Sequence, residues 1–115
     1  MYTNEMIKNA YRDECSSKLL YNTMADVEKD ARLAEVYRRI AHTEGHHAEK
    51  WAQRAKEAGI ALEVFKPTWR TRTLVALGKR FGPHMILPAI QGMEQNGTKQ
   101  YSQMEDDMGM TADEQ

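Results

Sequence analysis

The sequence predicts an all-α protein: a four-helix bundle with a long crossover between its second and third bundle helices, and a fourth helix truncated at the end of the chain. Three observations carry this. Only three prolines occur, at 67, 83 and 88, and Gly45 and Gly59 are the only glycines in the first 60 residues, so little breaks a helix there. Apolar residues recur three and four apart, and no stretch shows the alternation of a strand. The 115 residues suffice for one domain with a single core.

The first helix is expected from about Asn4 to Val27. The second begins near Asp30 or Ala31 and ends at Gly59, a residue type common just past a helix end. Residues 60–70 form a connection, and Thr71 to Phe81 a short basic amphipathic helix stopped by Gly82-Pro83. The third bundle helix runs from about Pro83, suited to a first turn, to near Met104, before Glu105-Asp106-Asp107 and Gly109 break it. Thr111 and Glu114 then read as the capping box of a fourth helix. A helix that starts without a body marks the chain as a fragment of a longer protein, or as one whose partner supplies the rest.

Charge and composition narrow the function. Sixteen Lys and Arg against 17 Asp and Glu leave a net charge of -1, so no global basic field invites nucleic acid. The longest apolar stretch, Met85 to Ile90, contains Pro88 and is far shorter than the ~20 residues of a membrane span. The first residues lack a basic region followed by an apolar one, so no secretory signal is expected. Cys15 is the only cysteine, which rules out an intrachain disulfide and points to a reducing, cytoplasmic setting.

On the second helix, Leu33, Tyr37, Ile40, Glu44, His47, Trp51, Ala55 and Ala58 fall within a wedge of about 80°, the expected buried face. Glu35, Arg38, Arg39, His42, His46, Glu49 and Gln53 take the opposite, solvated side. Glu44 and His47 therefore sit in an apolar stripe, where an unpaired carboxylate is costly. The first helix repeats the pattern with Ile7, Ala10, Glu14, Ser17, Tyr21 and Met24. The third bundle helix does so with Leu87, Ile90, Glu94, Gly97, Tyr101 and Met104, each 80 residues after its counterpart, an internal repeat. The small residues at 17 and 97 leave room beside the carboxylates.

Three helices thus each bring a core-facing Glu, and one adds a His three residues on, pointing the same way. Bundles that hold two iron or manganese ions use one Glu from each of two helices and Glu-x-x-His from each of the other two. Glu14 and Glu94 fill the single-Glu roles, and Glu44 with His47 one Glu-x-x-His. Glu114 would open the second, with its His falling past the last residue. Four carboxylates offset the charge of two divalent ions and would repel one another without them.

The stretches Tyr11-Arg-Asp-Glu14, Asp30 through Glu44, His47-Ala-Glu-Lys-Trp51, Arg80-Phe-Gly82 and Ala112-Asp-Glu114 resemble the rubrerythrin-like, ferritin-like N-terminal domain of bacterial membrane-bound ferritins, members of the vacuolar iron transporter family. The likeness covers nearly the whole chain. It implies a di-iron centre, with Glu14, Glu44, His47, Glu94 and Glu114 at metal-ligand positions, preceding a membrane domain that moves iron. The fourth-helix His and that membrane domain are absent from this sequence, so the only link to a membrane would be through a transporter domain outside this chain.

The function expected is an iron-binding domain that oxidises Fe(II) as a ferroxidase, or senses or delivers iron, in support of transport or storage. Two iron ions fill a complete site, with manganese or zinc as substitutes. Glu44 and Glu94 are the expected bridges, and Glu14 and Glu114 the terminal ligands. A homodimer or larger homo-oligomer is expected, because a fourth helix of one turn leaves a side of the core uncovered. The alternative is a non-catalytic helical interaction module whose buried polar residues fix its pairing.

Other residues have plainer readings. His42 and His46, four apart with Glu49 following, form a zinc-compatible set on a solvated face, where an ordinary exposed pair is the simpler expectation. Tyr21, Tyr37 and Tyr101 either orient ligands or pack as core aromatics. Met104, Met108 and Met110 read as flexible core filler, and Cys15 as an inert buried thiol. Arg70, Arg72, Lys79 and Arg80 around Trp69, Leu74, Leu77 and Phe81 read first as a crossover helix packed on the bundle, and second as a contact for anionic lipid.

Overall fold

The computed structural model describes residues 3–93, so Glu94, Gly97, Tyr101, Met104, the acidic run 105–107, Met108, Met110, Thr111 and Glu114 lie outside the described residues. Within that range the regular structure is helical, as expected.

Helix α1 spans Asn4–Val27, and the Thr3 hydroxyl accepts the Met6 N–H at 3.1 Å to cap it. Helix α2 spans Ala31–Glu57, with the Asp30 carboxylate accepting the N–H groups of Arg32 and Leu33. Its far end closes in a Schellman arrangement. The Gly59 N–H donates to the Lys56 carbonyl and the Ile60 N–H to that of Ala55, which needs the left-handed φ of 74° that Gly59 adopts. Ile60 then packs with Ala55 in the core, the apolar contact this motif favours.

The three-residue link between α1 and α2 forces the helices antiparallel. Arg38 meets Asp26 near the link, Tyr21 faces Tyr37 with ring centroids 6.4 Å apart, and Glu14 reaches His47 farther along. Small residues on α2 permit the close approach: Ala41, Gly45 and Ala48 are all buried. Gly45 lies under the aliphatic stem of Lys18, whose side-chain atoms are 3.0–3.2 Å from where a Cβ would stand.

Packing divides the core into two apolar clusters. One holds Leu20, Tyr21, Met24, Ala25, Tyr37, Ala41, Ile86 and Ile90. The other holds Ile7, Ala10, Trp51, Ala55 and Ile60. The expected stripe on α2 is buried at Tyr37, His47, Trp51 and Ala55, but Leu33 and Ala58 are exposed instead. Leu33 belongs to the first turn of α2 and Ala58 is its C-cap, so both sit at the ends of the helix, where the described residues offer little cover.

Helix α3 spans Trp69–Phe81 and starts two residues before the expected Thr71, because the Thr68 hydroxyl caps it by accepting the Thr71 N–H. Pro83 does open the next element, but only as a single 3-10 turn, Pro83–Met85. The α-helix expected to run on from there restarts at 87 and is described through 93. Pro88 explains the interruption: lacking an N–H, it fits the first turn of a helix beginning at Leu87 and disrupts one running through from Pro83.

Gly78 fixes how α3 meets this segment. A Cβ there would collide with Cδ1 of Ile86 and lie 2.8 Å from its Cγ1, and Ile86 is fully buried. Gly78→Val is therefore expected to lose about 1–3 kcal/mol, the usual cost of overpacking. Thermal unfolding should show a midpoint lower by about 4 °C or more with helix content kept, and an unchanged midpoint would contradict the packing.

Candidate metal centre

Glu14 and Ser17 on α1, and Glu44 and His47 on α2, form the layer between the two apolar clusters. The antiparallel register brings the polar members of both stripes to one height. Glu14, Glu44 and His47 each offer a ligand atom within 4.8 Å of the others. His47 Nδ1 is 3.4 Å from Glu14 Oε2, with the His47 side chain 3% exposed and that of Glu14 12%. Trp51, one turn beyond His47 on α2, is fully buried and separates this layer from solvent at the end of the bundle where Ile7 and Ile60 pack.

The donor set suits a divalent transition metal. Two carboxylates and one imidazole combine hard oxygen with borderline nitrogen, the mixture that iron, manganese and zinc accept. Two carboxylates also match the charge of one divalent ion. The two further carboxylates expected from the sequence, Glu94 from the 80-residue repeat and Glu114 as the start of a second Glu-x-x-His, both lie outside the described residues.

Tyr21 and Tyr37 belong to the apolar cluster beside the site, which supports their role as core aromatics. His42 and His46 lie on the exposed side of α2 with ring centroids 5.7 Å apart, and His46 Nδ1 is 3.5 Å from Glu49 Oε2. Cys15 is half-buried, and burial pushes its thiol above the ordinary range, opposed by a hydrogen bond from the Tyr11 hydroxyl and by the charge of Lys18, and reinforced by Glu14. Reasoning on stripes alone missed Gly45 and the Lys18 stem across it. The spacing of Ala41, Gly45 and Ala48 was the available signal for a second, small-residue face beside Glu44 and His47.

Tyr37 gives the site's surroundings a pH dependence. Burial, helped by the Glu28 carboxylate, raises its phenol above the usual value of 10.0. The folded state therefore holds this proton more tightly than the unfolded chain, so the associated stability is complete below pH ~10 and falls as pH rises beyond it. Tyr37→Phe is expected to move the midpoint of alkaline unfolding, followed by circular dichroism, to higher pH. A midpoint that stays in place or falls would contradict this origin.

Among the described residues no helix is long and apolar enough to cross a membrane. No curated protein and no solved structure matches the chain. A family model does: the one described as rubrerythrin matches residues 5–115. The all-α bundle, the cluster of His47 with the partly buried Glu14 and Glu44, and a match over nearly the full length agree, and the chain belongs to the rubrerythrin family.

Proposed function

We propose that this domain binds iron between α1 and α2 and supports Fe(II) oxidation, in the manner of the ferritin-like domain that precedes the membrane part of membrane-bound ferritins. The observation that carries the reading is a buried imidazole 3.4 Å from a nearly buried carboxylate of another helix, with a second carboxylate beside them, inside an otherwise apolar core. Glu14, Glu44 and His47 would hold the metal. Glu94 and Glu114 are the proposed remaining ligands: Glu94 stands 80 residues after Glu14 and four after the buried Ile90, and Glu114 would open the second Glu-x-x-His that such bundles use. A complete site would take two iron ions, with manganese or zinc able to replace them.

Fe(II) is the substrate in this reading, and its chemistry is a one-electron loss per ion. If peroxide is the acceptor, two Fe(II) and two protons convert one peroxide molecule into two waters. The chain's own residues have three tasks. Glu14 and Glu44 neutralise the charge of the incoming cation, His47 supplies the nitrogen that sets geometry, and Trp51 and the Tyr21–Tyr37 pair keep bulk water from either side of the layer. Whether the iron is stored, sensed or delivered onward is set by what the centre is coupled to.

A homodimer or larger homo-oligomer belongs to the same proposal. Leu33 and Val36 on α2 are 37% and 48% exposed, apolar surface that a second copy would cover, and the partner could add carboxylate or imidazole ligands.

Two measurements test this. Glu44→Ala and His47→Ala are each expected to weaken iron binding at least tenfold while helix content is kept, read by metal analysis after desalting and by circular dichroism. Variants that retain iron like the parent would leave the interaction-module reading standing. Light scattering at micromolar concentration is expected to give a dimer or larger species, and a stable monomer still holding metal would contradict the shared site.

A further inference from the structure

The charge of this chain is unevenly placed. Residues 64–93 contain five of the 16 basic residues, Lys66, Arg70, Arg72, Lys79 and Arg80, and none of the 17 acidic ones. All five are exposed. Among the described residues none of the five forms an ion pair, although α1 and α2 contain acidic groups that pair elsewhere. A chain with net charge -1 thus concentrates unneutralised positive charge on and beside a single helix.

Helix α3 carries most of it, and its two faces differ. Thr71 and Gly78 are buried and Leu74 and Val75 half-buried, packing α3 on the bundle. On the outer face Trp69, Thr73, Ala76 and Arg80 fall within about 60° at 100° per residue, and all four are exposed. Arg72 and Lys79 flank that line on one side, and Arg70 and Phe81 on the other. Trp69 is 73% exposed and Phe81 53%, an unusual placement for two large aromatic side chains on a helix whose other face is already packed. Each has a guanidinium beside it: Arg70 lies 5.9 Å from the Trp69 ring centroid, and Arg80 5.5 Å from that of Phe81.

We infer that the outer face of α3 docks on an anionic lipid surface, with Trp69 and Phe81 entering the headgroup region and Lys66, Arg70, Arg72, Lys79 and Arg80 contacting lipid phosphates. The aromatic rings decide between polyanions. A nucleic-acid duplex, its bases already stacked, would neutralise the basic groups but offers the Phe81 ring no stacking partner and the aliphatic Val64, 84% exposed, no apolar medium. A lipid interface takes up amphipathic aromatic and aliphatic groups together with cations. The guanidinium-over-ring pairing holds each charge at headgroup depth while its ring inserts. This surface is independent of the metal centre, since none of its residues is a proposed ligand.

The test uses the full chain with vesicles of phosphatidylcholine alone, vesicles one-third phosphatidylglycerol, and a short DNA duplex. Co-sedimentation is expected with the anionic vesicles only, and to be lost in high salt. Trp69 reports insertion, because the other tryptophan, Trp51, is already fully buried. Emission should shift to the blue on anionic vesicles, and Trp69→Phe should remove that shift. Each cation contributes about fivefold to partitioning near such a surface, so Arg72→Gln with Lys79→Gln should weaken it about 25-fold while circular dichroism and iron content stay unchanged. Equal partitioning on neutral and anionic vesicles, sedimentation without an emission shift, or DNA binding at least as tight as vesicle binding would each overturn the inference.

Discussion

The contact between His47 and Glu14, 3.4 Å across two helices, is the constraint on which the rest of the structure depends. An imidazole and carboxylates taken out of water destabilise a small bundle unless they are paired or bind a cation. The chain concentrates them in one layer, with an apolar cluster on either side. Tyr21, Met24, Tyr37 and Ile86 lie on one side, and Ile7, Ala10, Trp51 and Ala55 on the other. Those clusters supply the burial that holds the helices together, so the polar layer can be specialised for binding. The short link at residues 28–30 fixes the register of the pair, and register alone determines whether Glu14 meets His47.

Much of this was legible in the sequence because helical periodicity is a geometric statement. The bounds of α1, the start of α2 beside Asp30, its end just before Gly59 and the stop at Gly82 follow from residue types with strong local preferences. Placing Glu14, Glu44 and His47 on inward faces needed only the 100° rule, and the structure brings all three together. What the rule could not reach was the tertiary context at helix ends. Leu33 and Ala58 share the angular wedge of His47 but lie at the helix ends, where the described residues leave them exposed, and a helical wheel contains no information about length. The break between Pro83 and Leu87 was missed for a different reason: Pro83 alone favours a helix start, and Pro88 then sets the start four residues later.

Helix α3 shows how a crossover serves two surfaces. Its inner side uses the absence of a side chain at Gly78 to seat Ile86, which in turn belongs to the same cluster as Tyr21 and Met24 beside the layer of Glu14, Glu44 and His47. Its outer side is left free to carry charge and aromatic rings without disturbing that packing. The small residues of α2 perform the corresponding role between α1 and α2, where Gly45 admits the stem of Lys18 one turn from Glu14. Close backbone approach therefore governs both the site and its support, while Glu14, Glu44 and His47 themselves sit on regular helix with no strained backbone.

The central claim is that Glu14, Glu44 and His47 form one metal site inside the bundle. X-ray absorption at the iron edge, on protein loaded with Fe(II) and freed of loosely held metal, tests it most directly. The expected spectrum shows mixed oxygen and nitrogen ligation with the outer-shell scattering of imidazole, and His47→Ala removes the imidazole signal. An all-oxygen environment, or an imidazole signal that survives His47→Ala, would contradict the account.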